Sequence, residues 1–115
     1  MRRRVAITGL GVVTSLGRQI DGFWDRLVRG ESGVGPVTLF DVSGYRMQFG
    51  GQVPWEPERE DIADAKELRR LDRYSQFAIA AAKDAVADSG IAFDREEPYR
   101  CGVAIGSGIG GLQEF

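Results

Sequence analysis

Residues 72–90 read DRYSQFAIAAAKDAVADSG, and this stretch has the features of one helix with a marked start and a marked stop. Asp72 suits the N-cap position, because its carboxylate can accept hydrogen bonds from the free N–H groups of the first helical turn. Gly90 suits the residue after the helix, because glycine enters the left-handed conformation at little cost. The pattern predicts a helix bounded by these two residues.

The apolar side chains of this stretch extend beyond a single face. One face at helical spacing consists of Tyr74, Phe77, Ala78, Ala81, Ala85 and Val86. Ala80, Ala82 and Ala87 widen this face, and Ile79 lies well away from its centre. A helix that is smooth and apolar nearly all round is usually buried, with a sheet on at least one side. The sequence therefore predicts a buried helix within a layered α/β structure.

Composition and charge exclude several classes of function. The net charge of −2 argues against bulk nucleic-acid binding, and no apolar run approaches the ~20 residues that span a bilayer. Cys101 is the single cysteine, which rules out an internal disulfide and fits a cytoplasmic location. The chain contains no histidine, so it can hold neither a His-based metal site nor a histidine general base.

The other predicted elements are too few to cover such a helix. An amphipathic helix begins at Ile20 and is stopped by Gly30. Apolar runs predict short strands over residues 4–9, 49–53 and 101–105. Residues 31–44 are predicted as a loop, residues 58–64 as a short acidic helix, and residues 65–71 as a basic helical turn. Pairing the first strand with the third would still leave sheet edges open. The inventory therefore predicts the N-terminal part of a larger α/β domain.

Two glycine motifs permit two interpretations. Gly106-x-Gly108-x-x-Gly111 matches the dinucleotide fingerprint and follows a predicted strand. The earlier motif, Gly9-x-Gly11, lacks the third glycine. We favour tight turns and close backbone approach for both motifs, with nucleotide binding as the weaker alternative. Titration with a nucleotide, followed by tryptophan fluorescence, would test that alternative, and we expect no response.

Five separated blocks resemble one family in order and spacing. They are RVAITGLGVVTSLG, FWDRLVRGESGV, FDVSGY, KELRRLDRYSQFAIAAAKDAVADSG and GVAIGSGIGGL. Together they resemble the N-terminal quarter of the β-ketoacyl-acyl-carrier-protein synthases, with the elongating type II enzyme the most similar. The resemblance implies a thiolase-like α/β fold in αβαβα layers. Residues 1–115 would be the incomplete N-terminal part of that ketoacyl synthase domain, and the glycine turns would be structural.

The resemblance also implies an activity, namely decarboxylative Claisen condensation of an acyl thioester with malonyl-carrier protein. The expected partners are acyl carrier protein, acyl and malonyl thioesters and a second subunit in a homodimer, with no cofactor. The chemistry requires a cysteine thiolate and two histidines, and in the family the cysteine belongs to a later block. No catalytic residue is therefore assigned here, and the 115-residue segment alone is expected to be inactive. Cys101 is expected to be a small buried strand residue.

One candidate site within the chain is a basic helical face. Lys66, Arg69, Arg70 and Arg73 follow helical spacing. The residues alone slightly favour a solvated face paired with neighbouring carboxylates. The resemblance favours binding of the acidic carrier protein by Lys66, Arg69 and Arg70, because these match positions that serve this purpose in the family.

A second candidate site is Ile109 within GSGIGG. The resemblance implies that this side chain lines the far end of the acyl pocket, near the dimer interface. Packing within the turn remains an equal alternative. A rival function for the chain as a whole is a non-catalytic subunit of the same fold, such as a chain-length factor or a polyketide ketosynthase subunit.

Overall fold

The computed structural model describes residues 2–56, residue 66 and residues 69–111. In chain order, its elements are α1 Ile20–Val28, β1 Gly35–Pro36, β2 Phe49–Gly50, α2 Arg73–Ser89, and two 3-10 helices, Phe93–Arg95 and Pro98–Arg100. The chain divides into two compact units, one of Met1–Gly11 with Pro57–Phe115 and the other of Val12–Glu56. None of the helices in the described part of the chain is long and apolar enough to cross a membrane.

The bounds predicted for α2 are confirmed at both ends. Asp72 is the N-cap residue, and Gly90 ends the helix in the left-handed conformation with φ of 65°. The predicted cap hydrogen bond is wrong, because the Asp72 side chain makes none. Gln76 instead holds the start of the helix. Its backbone N–H donates to the Asp72 carbonyl oxygen (3.0 Å) and its Nε2 donates to the Leu71 carbonyl oxygen (2.7 Å).

The burial predicted all round α2 is wrong for this structure. Within α2, Ala80 is fully buried, with 0% of its surface exposed. Ala82, Lys83, Val86 and Ala87 are exposed. The cover is partial because the strands predicted at residues 4–9 and 101–105, in the same unit as α2, are not formed.

The first glycine motif approaches α2 very closely. A Cβ at Gly9 would lie 2.6 Å from the Ser89 nitrogen and would overlap the Ala85 carbonyl oxygen. A Cβ at Gly11 would overlap the carbonyl oxygen of Ala81. Between them, the Leu10 N–H donates to Asp88 Oδ2 at 2.8 Å. These contacts support close backbone approach as the reason for both glycines.

The strands predicted at residues 4–9 and 101–105 are not formed, which corrects the sequence-based expectation. Val5 is 92% exposed and Val103 is 89% exposed. Neither segment has a ladder of backbone hydrogen bonds to another described residue. Apolar composition favours a strand, but a strand exists only when a neighbour accepts and donates its backbone hydrogen bonds.

The second unit contains α1 and a short antiparallel pair. α1 confirms the predicted amphipathic helix, and Gly30 ends it with φ of 70°. The loop predicted over residues 31–44 contains β1, which pairs with β2 in the register Gly35 to Gly50 and Pro36 to Phe49. The strand predicted over residues 49–53 is therefore shorter than expected, because pairing stops at Gly50. The predicted helix at residues 58–64 lies outside the described residues.

Two arginines fix the end of α1. Arg26 Nε donates to Glu31 Oε2 at 2.7 Å, and Arg29 Nε donates to Glu31 Oε1 at 2.9 Å. Arg26 also donates through Nη1 to the Leu16 carbonyl oxygen at 2.7 Å. The side-chain hydrogen bond from Arg26, followed by that from Arg29, lowers the pKa of Glu31 below its ordinary value of 4.5.

Candidate functional site

The predicted basic face divides into an exposed part and a packed part. Lys66, Arg69 and Arg70 are exposed, with Lys66 helical and the two arginines in the turn before α2. The fourth cation, Arg73, is half-buried and holds its guanidinium 5.0 Å from the ring centroid of Phe77. This cation–π contact packs the Arg73 side chain against the first turn of its own helix. The exposed basic segment therefore consists of the three residues for which carrier binding was predicted.

Exposed cations clustered at one end of a helix can attract an acidic surface. The attraction acts over about a Debye length, ~8–10 Å at physiological ionic strength, and salt weakens it. Clusters of one sign also accelerate encounter with a partner of the opposite sign. The basic segment is thus suited to reversible binding of an acidic protein.

The glycine turn that carries Ile109 lies at the same end of α2. Ile109 is 78% exposed. The N–H of Gly110 donates to Ser107 Oγ at 2.9 Å, and Gly110 has φ of 83°, which favours glycine. A Cβ at Gly110 would lie 3.9 Å from the Tyr74 hydroxyl oxygen. The structure therefore brings the predicted acyl-pocket turn to the first turn of α2, directly after the basic segment.

An apolar groove of about 480 Å³ runs along α2 and was not predicted from the sequence. Ala82 and Val86 form one wall, and Val103 and Ile105 form the other. The sequence features that could have indicated this groove are the two apolar side chains in residues 101–105 and the alanine-rich face of α2. That signal predicted a strand paired with other strands, and it did not indicate a groove between these side chains and the helix.

Cys101 is exposed, so its predicted burial is wrong. Its Sγ lies 3.6 Å from the Glu97 carbonyl oxygen, at the end of the second 3-10 helix. The prediction failed because residues 101–105 form no strand. In the described part of the chain no group of three or more His, Cys, Asp or Glu residues is placed to hold a metal ion.

Comparison with known proteins identifies the family. The model of the β-ketoacyl synthase N-terminal domain matches residues 2–115. The 3-oxoacyl-[acyl-carrier-protein] synthase 2 of Coxiella burnetii is 44% identical over 112 residues, which cover 96% of this chain and 27% of that protein. The synthase 2 of Synechocystis is 38% identical over 112 residues, covering 97% of this chain and 27% of that protein.

A solved structure agrees with these sequence matches. The ishigamide ketosynthase/chain length factor aligns with a TM-score of 0.71 at 36% identity, covering 82% of this chain and 23% of that chain. The fold is therefore that of the N-terminal part of a ketosynthase. The chain spans about a quarter of the length of the curated relatives it matches. On this evidence, the chain belongs to the β-ketoacyl synthase family and corresponds to its N-terminal domain.

Proposed function

We propose that this chain is the N-terminal part of a 3-oxoacyl-acyl-carrier-protein synthase of fatty-acid elongation. The reaction would be decarboxylative Claisen condensation between an enzyme-bound acyl thioester and malonyl-carrier protein. The observation that carries the proposal is the family match across residues 2–115, together with relatives named as this synthase. The αβαβα layering, the homodimer, the cytoplasmic location and the absence of a cofactor belong to the same proposal.

The residues of this chain would bind and orient substrates, and the bond-forming groups would come from elsewhere in the synthase. Condensation requires a thiolate nucleophile and donors that stabilise the developing oxyanion. The chain has no histidine to polarise a thioester carbonyl. Its one thiol, on Cys101, lies exposed beside a backbone carbonyl, and we assign it no catalytic role.

The test of the overall activity uses the complete synthase that we propose. Acyl-carrier protein and malonyl-carrier protein are supplied together, and the 3-oxoacyl product and released carbon dioxide are measured. We expect one carbon dioxide per product, and no product from the 115-residue segment alone. A complete protein that binds both substrates but forms no 3-oxoacyl product would contradict the proposal.

Carrier-protein binding is assigned to Lys66, Arg69 and Arg70. The support is their exposure and their position together at the start of α2. Reversing charge at both arginines, as Arg69→Glu and Arg70→Glu, is expected to raise KM for the carrier substrate about tenfold and to leave kcat nearly unchanged. The difference should shrink as salt concentration rises.

A matched control places the same charge change elsewhere. Arg95 and Arg100 are exposed arginines on the two 3-10 helices. Arg95→Glu with Arg100→Glu is expected to leave KM within about twofold of the unmodified value. Equal effects of the two double substitutions would mean that net charge, and not a local docking surface, governs the association.

Ile109 is assigned to the acyl pocket. The support is its large exposed side chain on a turn that is closed by a hydrogen bond. Ile109→Phe enlarges the side chain and so reduces the space left in the pocket, and it is expected to slow long-chain acyl transfer more than short-chain transfer. Ile91→Phe, which lies outside the turn, is the control. Undiminished long-chain transfer by Ile109→Phe would remove the pocket assignment.

A non-catalytic subunit of the same fold is the second candidate. The observation that favours it is the structural likeness to a ketosynthase/chain length factor. Mass spectrometry after incubation with acyl-carrier protein separates the two candidates. A synthase acquires an acyl group on a cysteine outside these 115 residues, whereas a chain-length-factor-like subunit acquires none.

A further inference from the structure

One arginine of α1 joins two segments that lie on either side of the helix in sequence. Arg26 Nη1 donates to the Leu16 carbonyl oxygen at 2.7 Å, ten residues back along the chain. Arg26 Nε donates to Glu31 Oε2 at 2.7 Å, beyond the end of the helix. Because a guanidinium is planar and its N–H groups have fixed directions, the partner at Nε also sets where Nη1 points.

The turn that receives this hydrogen bond, residues 14–17, is closed on itself. Thr14 and Gly17 exchange two backbone hydrogen bonds of 3.1 Å. The Thr14 hydroxyl donates to the Gly17 carbonyl oxygen at 3.0 Å and accepts from the Leu16 N–H at 3.2 Å. Leu16 is also buried, with 9% of its surface exposed. The N–H groups of Leu16 and Gly17 therefore report whether this 14–17 turn is closed.

Glu31 holds the arginine in its bridging orientation. Its two carboxylate oxygens accept from different arginines, Oε2 from Arg26 and Oε1 from Arg29 Nε at 2.9 Å. The Glu31 N–H donates to the Arg26 carbonyl oxygen at 3.0 Å, which keeps the carboxylate beside the helix. Within the described residues, no hydrogen bond joins Glu31 to the 14–17 turn. An effect of Glu31 on that turn must therefore pass through Arg26.

We propose that Glu31 is a positioning residue that acts through Arg26 to hold the 14–17 turn closed against the end of α1, and that salt loosens this clasp. Salt acts because the Arg26 and Glu31 side chains keep 41% and 38% of their surface exposed, so dissolved ions can screen their attraction. The clasp is a conformational device of residues 14–31. It does not depend on the proposed function, and its test needs no activity measurement.

The experiment compares amide hydrogen exchange of Leu16 and Gly17 in variants of the complete protein. Arg26→Ala removes both side-chain hydrogen bonds and leaves α1 with a residue of high helix propensity. Glu31→Ala removes the carboxylate. Arg29→Ala is the matched control, because Arg29 has the charge of Arg26 and also pairs with Glu31, but in the described part of the chain no hydrogen bond connects it to the 14–17 turn.

Arg26→Ala is expected to accelerate exchange of both amides about tenfold, the effect of losing a hydrogen bond from a charged donor. Glu31→Ala is expected to accelerate it about threefold, as for a partly exposed ion pair, and this difference should shrink as salt concentration rises. The double variant should match Arg26→Ala alone, since Glu31 acts only through Arg26. Arg29→Ala should leave the exchange of both amides nearly unchanged.

Four results would overturn the proposal. Unchanged exchange in Arg26→Ala would mean that the hydrogen bond to Leu16 does not hold the turn closed. If the effects of Arg26→Ala and Glu31→Ala multiplied in the double variant, Glu31 would not act through Arg26. An equal effect of Arg29→Ala and Glu31→Ala would point to the helix end as a whole, and an effect of Glu31→Ala that high salt did not reduce would exclude an electrostatic clasp.

Arg26→Lys separates geometry from charge. One ammonium keeps the positive charge but cannot reproduce the fork that reaches Glu31 and the Leu16 carbonyl together. Exchange in Arg26→Lys is therefore expected to approach that of Arg26→Ala. Exchange equal to that of the unmodified protein would show that charge alone suffices, which would remove the positioning role of Glu31.

Discussion

Substitution of Gly11 by alanine tests the close packing of the N-terminal segment on α2. A Cβ at this position would lie 2.8 Å from the carbonyl carbon of Ala81 and 2.9 Å from the nitrogen of Ala85. Ordinary contacts between such atoms are ~3.5–4.0 Å. Both atoms belong to the helix backbone, which cannot rotate away as a side chain can. The N-terminal segment must therefore move off the helix by roughly 0.7 Å or more.

The expected change in the free energy of unfolding combines two destabilising effects and one stabilising effect. Overpacking of this kind costs about 1–3 kcal/mol, and displacement weakens the exposed hydrogen bond from Leu10 to Asp88, which contributes about 0.5–1 kcal/mol. Alanine also reduces the conformational entropy of the unfolded chain, which stabilises the folded state by about 0.4–1 kcal/mol. We expect a net destabilisation of about 2 kcal/mol, or roughly a 30-fold increase in the opening equilibrium.

Native-state amide exchange of residues 81–89 in the complete synthase measures this opening. Gly22→Ala is the control, because Gly22 lies inside α1 with no atom within 4 Å of its Cβ position. That change should stabilise α1 by up to about 1 kcal/mol through helix propensity. If Gly11→Ala left exchange in residues 81–89 unchanged, the segment would not lie against α2 as described, and the steric reason for its glycines would be refuted.

Three further predictions concern helix ends and carboxylates. Gly90→Ala should destabilise α2 by about 1–2 kcal/mol, because alanine resists the left-handed conformation. Gly102→Ala, at a position with open space and no positive φ, should be nearly neutral in the same thermal-denaturation assay. The lowered pKa of Glu31 means that its ionised form stabilises the end of α1 above pH 4.5, and that this contribution is lost as pH falls through the lowered pKa. The difference in amide exchange between the unmodified protein and Glu31→Gln should accordingly be present at neutral pH and vanish in acid. Hydrogen bonds from the backbone, then the side chain, of Ser43 lower the pKa of Asp41 below 3.8. Ser43→Ala should raise that pKa in a carboxyl NMR titration, while an unchanged pKa would show that the hydroxyl contributes nothing.

The two α-helices could be predicted from the sequence because their signals are local, whereas the two 3-10 helices were not predicted. Gly30 and Gly90 both adopt the positive φ that ends a helix, and the apolar spacing from Ile20 fixed the start of α1. The strands could not be predicted in the same way. Residues 4–9 and 101–105 have suitable composition, but strand formation depends on neighbours that local sequence does not specify.

The candidate site was predicted in part. Exposure of Lys66, Arg69 and Arg70 follows from charge, and it is present in the structure. Arg73 packs apart from these three cations because the Phe77 ring lies one helical turn away. The i, i+4 spacing of Arg73 and Phe77 could have predicted this contact.

The open groove beside Ala82 and Val103 has a consequence during protein synthesis. When residue 105 has emerged from the ribosome, the apolar side chains that line this groove are exposed to water until another surface covers them. Such patches recruit nascent-chain chaperones and promote aggregation when translation stalls. Codon choice shortly after this point should therefore affect the yield of folded protein, even where it leaves every amino acid unchanged.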